Sequence, residues 1–146
     1  MTAFTVVGAC QFDPYPPDYT KVKPMPDEMI GRWVATADTT KQLTARGLSQ
    51  LRPRIVLEPE GRVTIIDVPD DWSSAVGQPP RVPEYRGRWT LAVDSHGKWG
   101  ILLEPAAPFC YQCLMVMRDS APHLLVMRYG DPDSGTGYEF ERAVEQ

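Results

Sequence analysis

Cys110-Tyr111-Gln112-Cys113 sets two thiols at a spacing shared by redox pairs, half a structural zinc site and short disulfide loops. Each use makes a further demand. A redox pair wants its first thiol at a helix N-terminus, where the dipole favours thiolate, but Leu114-Met115-Val116-Met117 reads as strand. Zinc wants four ligands, and His96, His123 and Cys10 are the soft donors left to join, with no second pair at metal spacing. The reading with the fewest demands is two unpaired thiols packed into a strand. A Cys110–Cys113 disulfide follows if the chain is exported, and it requires a bend, because strand residues three apart face opposite sides. Metal and redox use come after these. Asp131-x-Asp133-x-Gly135 opens like a calcium loop but lacks the next alternate acid and flanking helices, so it reads as a tight turn. Neither His96 nor His123 has a neighbouring Ser or Asp in a nucleophile-elbow context, and a cysteine–His123 dyad would have to form in space. Carboxylates are scattered, and no Gly-rich phosphate loop is present. The expectation is a protein without catalytic residues, metal or cofactor.

The bulk properties point the same way. A chain of 146 residues is one domain large enough for its own core. A net charge of −4 argues against a nucleic-acid binder and an anionic-membrane binder, and favours a basic partner. No apolar run approaches the ~20 residues of a membrane span. The 15 prolines belong to loops and tails, since proline avoids helix interiors and central strands.

The elements that must carry these residues are strands. From Tyr85 to Asp94 the odd positions are apolar around Gly87 and the even ones mostly polar, the period of a strand with one wet face. Residues 29–38 alternate likewise, with Trp33, Ala35 and Ala37 inward and Arg32, Thr36 and Asp38 outward. Thr39 or Thr40 is expected to cap a short helix that Gly47 ends. Residues 54–58 and 62–68 form a hairpin with Ile55, Leu57, Val63 and Ile65 in the core. Further hairpins join residues 85–94 to 98–104 and 110–118 to 123–129, and residues 137–144 close the chain. The fold class expected is mainly β: about eight antiparallel strands in up-and-down order, closed into a barrel or strongly curved, with one short helix. Residues 1–28 read as an N-terminal extension or Pro-rich tether, and 29–146 as the barrel. Trp33 and Trp89 should be buried, with Arg32 and Arg88 outward.

Three resemblances follow from particular residues. Val7-Gly8-Ala9-Cys10 resembles the lipoprotein cleavage box, which implies acylation of Cys10, a lipid anchor and an envelope location. The alternative is an ordinary extension or edge strand over residues 2–10, in a cytoplasmic protein. Gly31-x-Trp33 resembles the lipocalin and wider calycin signature, in which the Trp packs across the barrel floor under an Arg near the final strand; that role falls to Arg142. Gly130-Asp131-Pro132-Asp133-Ser134-Gly135 followed by Tyr138-x-Phe140-Glu141 is similar to the C-terminal end of a group of small bacterial proteins, often lipoproteins, and implies fold and origin without an activity.

With no chemistry to assign, the expected function is binding. The leading expectation is a non-catalytic barrel that recognises or inhibits a protein partner, of immunity-protein or envelope-inhibitor type. Its contact residues would lie in the long loop over residues 69–84. Trp72 in it supplies an apolar anchor, and Asp67, Asp70 and Asp71 beside that anchor supply a negative field. Trp72 folding back as a lid over the barrel end is the competing expectation. The alternative function is a lipocalin-like carrier of an apolar small molecule, with Met115, Met117, Met127, Tyr129, Tyr138 and Phe140 lining a cavity rather than filling a core.

Overall fold

The computed structural model describes residues 19–70, 79–107, 114–128 and 137–144. A helical turn, α1 (Pro26–Met29), leads into β1 (Gly31–Ala35) and α2 (Ala37–Ala45). Seven strands follow: β2 (Arg54–Leu57), β3 (Arg62–Ile66), β4 (Tyr85–Val93), β5 (Trp99–Glu104), β6 (Leu114–Met117), β7 (Leu124–Arg128) and β8 (Gly137–Arg142). Each strand pairs antiparallel with the next, and β8 returns to β1, so the sheet is a closed eight-stranded barrel. Closure leaves no sheet edge to protect.

Alternation decides which residues enter the barrel. Ile55, Leu57, Val63 and Ile65 are all buried, as their spacing predicts. Trp33 and Trp89 are buried while Arg32 and Arg88 are exposed, so the register of both Gly-Arg-Trp strands is the expected one. Glycine in the second of these allows close approach: a Cβ on Gly87 would lie 2.7 Å from the Glu104 carbonyl oxygen. The strands send their buried side chains inward, with Trp33, Tyr138, Phe140, Leu114, Leu125 and Met127 each less than 2% exposed.

The boundaries differ from the sequence expectation in physically specific ways. β1 is shorter than residues 29–38 because both of its ends are claimed by helices. Pro26 opens α1 with its missing N–H where no partner is needed, and Glu28 Oε1 accepts from the Met25 N–H at 2.9 Å. At the other end Thr36, not Thr39 or Thr40, caps α2: its side chain accepts from the Thr39 N–H at 3.3 Å. Ala37 is consequently exposed on α2 rather than inward on a strand. Thr39 is instead buried, and its hydroxyl accepts from the Glu139 N–H at 2.7 Å, pinning α2 to β8. Gly47 does end the helix. With φ +76° it lets Leu48 N–H reach Leu43 C=O at 2.8 Å and its own N–H reach Thr44 C=O at 3.0 Å. On β4 the alternation outlasts the barrel, leaving Val93 51% exposed beyond the core.

The described part of the N-terminal extension is built into the wall. β5 and β6 pair at Gly100 with Met115 and Ile101 with Leu114, then diverge. Tyr19 and Thr20 enter that gap: Thr20 N–H donates to Val116 C=O and Trp99 N–H to Thr20 C=O, both at 2.9 Å. Thr20 is 1% exposed, and its hydroxyl donates to Asp119 Oδ1 at 2.7 Å. A standing-off tether therefore does not describe residues 19–28; residues 1–18, Cys10 among them, lie outside the described residues.

Candidate functional site

The residues that signalled the barrel meet at its floor. Trp33 pairs across β1 and β8 with Arg142, whose guanidinium carbon lies 5.6 Å from the indole centroid. The same guanidinium donates to Glu28 C=O at 2.7 Å, and the Trp33 indole N–H donates to Met29 C=O at 2.9 Å. Gly31 makes room. A Cβ there would lie 2.9 Å from an Arg142 nitrogen, and its φ of +135° suits glycine alone. Arg142 thus ties α1 to Trp33 and to β1.

His123 stands beside this clamp, 2% exposed. Its Nδ1 donates to Arg118 C=O at 3.0 Å, while Nε2 lies 3.4 Å from Glu28 Oε1 and has no hydrogen-bond partner. The Met25 N–H, with His123 behind it, holds the Glu28 carboxyl below its ordinary value of 4.5. A carboxyl lowered in the folded state stabilises above its unfolded value, and that contribution is lost as pH falls through the folded value. Glu28→Gln is therefore expected to lower the urea midpoint at neutral pH. The difference from wild type should shrink as pH falls below the ordinary glutamate range; a difference constant with pH would show that charge at Glu28 is not involved.

Of the sequence-predicted contact residues, the structure describes Asp67 and Asp70. Asp67, at φ +61°, turns its carboxylate back to accept from the Arg52 N–H at 3.0 Å. Asp70 is 2% exposed, and its N–H donates to Arg81 C=O at 2.7 Å in an isolated bridge, so it braces the base of its loop rather than facing solvent. Asp71 and Trp72 lie outside the described residues, as do Cys110, Cys113, Tyr129 and residues 130–135. His96 is exposed in the turn between β4 and β5, where Asp94 Oδ1 accepts from the His96 and Lys98 N–H groups at 2.8 and 2.9 Å. Among the described residues no three His, Cys, Asp or Glu side chains group to hold a metal ion. No helix among them is long and apolar enough to cross a membrane.

Among the described residues, two concavities on the outer wall stand out. One, of about 280 Å³, crosses β4 to β6 over Ala92, Leu102 and Met115. Its cations are engaged with Tyr19: Lys98 Nζ and the Arg128 guanidinium lie 5.8 and 6.0 Å from that ring. The other, of about 330 Å³, lies between β1, β2 and α2, floored by Val34, Ala35, Leu51 and Pro53 and edged by Arg32, Arg52 and Arg54. This arginine groove was missed in sequence. The visible signal was two outward arginines, Arg52 and Arg54, at period two; the register that brings them to Arg32 was not visible. No protein-family model, curated protein or solved structure matches the chain.

Proposed function

We propose that this chain is a non-catalytic binding domain of lipocalin-like, calycin type whose barrel is a filled scaffold and whose outer wall recognises a protein partner. The observation that carries the reading is the packing of the interior. Trp33, Tyr138, Phe140, Leu114, Leu125 and Met127 are each less than 2% exposed, which supports an interior occupied by the barrel's own side chains rather than kept open for a ligand. Eight strands enclose just enough room for such side chains, whereas both concavities described above open on outward-facing positions. The clamp of Gly31, Trp33 and Arg142 supports the calycin likeness. A partner bound on the wall, with no group assigned to catalysis, fits an immunity or inhibitor role.

A photo-crosslinking amino acid introduced singly at Val34, Thr64, Leu102 and Glu139, in the host cell, tests the reading. A discrete protein adduct at neighbouring outward positions, identified by mass spectrometry and reproduced with purified partner, is expected. Absence of an adduct at every position, with saturable uptake of a lipophile by the purified domain, would return the function to carriage.

A further inference from the structure

We infer that the groove between β1, β2 and α2 is the recognition site proper, and that it takes an acidic peptide segment: an apolar side chain on the floor and carboxylates on Arg32 and Arg54. This rests on the protein-recognition reading above. Arg32 stands opposite Val56 and Val34 opposite Arg54, so the two arginines are diagonal neighbours on the outward face of β1 and β2. Such diagonal positions lie roughly 7–8 Å apart, within which two guanidiniums can converge on one ligand. Among the described residues neither side chain has a hydrogen-bond or ion-pair partner. Arg52 adds a third charge at the mouth. It is held by its own donations to Ser49 C=O at 2.6 Å and Leu51 C=O at 2.9 Å, and by Asp67 at its backbone N–H.

Like charges placed together on a sheet repel. Here they are not neutralised internally: Glu141 stands opposite Val34 on β8 and Asp67 lies beside Arg52, yet neither forms an ion pair with these guanidiniums. Three arginines gathered over an apolar floor, in a protein of net charge −4, form a local positive field that whole-molecule charge conceals. At physiological salt the screening length is about 8 Å, so a ligand in the groove responds to these charges more than to the distant acids. Guanidinium forks match carboxylates in bidentate fashion, which fixes the anion's chemistry and orientation.

The floor chooses among anions. Val34, Ala35 and Leu51 are half-buried and Pro53 is buried, offering a hollow for one apolar side chain. A free oxyanion would leave that surface unused. A nucleic acid would want a longer basic track and aromatic rings to stack on, and none lines this groove. A peptide carrying leucine beside glutamate uses both floor and rim.

The test is fluorescence anisotropy of the purified domain with a short labelled peptide of alternating glutamate and leucine. Lysine/leucine and glutamate/serine peptides and a single-stranded oligonucleotide serve as comparisons. Saturable, salt-sensitive binding of the glutamate/leucine peptide is expected, weaker for glutamate/serine and lost for lysine/leucine. Arg32→Gln and Arg54→Gln should each weaken it about five- to tenfold, with partial retention in Arg54→Lys, which keeps the charge without the fork. Arg86→Gln, on the outward face of β4 and paired with Glu84, should leave it unchanged. All variants are surface changes whose folding is checked by their melting curves. Equal binding of the lysine/leucine peptide, insensitivity to both arginine substitutions, or tighter arginine-dependent binding of the oligonucleotide would overturn the assignment. If the groove fails while crosslinks at Leu102 or Thr64 still capture a partner, protein recognition stands and its site lies elsewhere on the wall.

Discussion

Trp33→Ala is expected to be the most damaging single substitution, costing about 3–5 kcal/mol, as truncation of a large core aromatic does. Domains of this size hold only ~5–15 kcal/mol in total, so much of the protein would unfold near room temperature. The side chain is completely buried, donates its indole N–H to Met29 C=O at 2.9 Å, and carries the Arg142 guanidinium on its face. Alanine would empty the floor and release both the clamp and α1. Trp33→Phe keeps most of the ring and the cation contact while losing the hydrogen bond, and should cost less, by roughly half. Urea midpoints followed by far-ultraviolet circular dichroism measure both. A loss below about 1 kcal/mol in the alanine variant would mean that the floor is not a cooperative part of the barrel.

Truncation to begin at Met25 is the second large effect, expected to cost about 2–4 kcal/mol from the hydrogen bonds and burial it removes. It takes away the Thr20 bonds to Val116 and Trp99, the Thr20 hydroxyl bond to Asp119, and the buried ring of Pro24. The loss should also be local. β5 and β6 are held by Gly100 opposite Met115 and Ile101 opposite Leu114, so the wedge of Tyr19 and Thr20 is a large share of what closes that seam. Hydrogen exchange in the truncated protein should quicken first at the Trp99 N–H, which donates to Thr20 C=O, with the β2–β3 hairpin unchanged. Unaltered exchange at the seam, with a melting point within a degree or two of wild type, would restore the description of residues 19–24 as a tether.

The contrast between these two predictions shows what a sequence exposes. Trp33 was legible because alternation and Gly-x-Trp are local patterns, and alternation alone set the inward register of Ile55, Leu57, Val63, Ile65 and Trp89. Thr20 was not legible. Its role depends on a gap between two strands far along the chain, and the prolines around it read as an extended tether. The cap of α2 was misplaced because Thr36, Thr39 and Thr40 are all competent caps, and the pairing of β1 with β8 decides which one turns out of the sheet. Asp67 and Asp70 looked like a surface field because their charge is visible in sequence, whereas their turns back onto the Arg52 N–H and towards Arg81 are not. The arginine groove exists only through the β1–β2 register, so its residues were scattered in the sequence as ordinary outward positions.

The central claim, a filled barrel that recognises with its wall, is tested most directly by methyl NMR spectra during parallel titrations with dodecanoic acid and the glutamate/leucine peptide. The account predicts that Ile55, Leu125 and Met127 methyls stay in place with either ligand, and that Val34 and Leu51 methyls shift saturably with the peptide. Saturable shifts of Leu125 and Met127 with dodecanoic acid, leaving Val34 and Leu51 unmoved by the peptide, would contradict it.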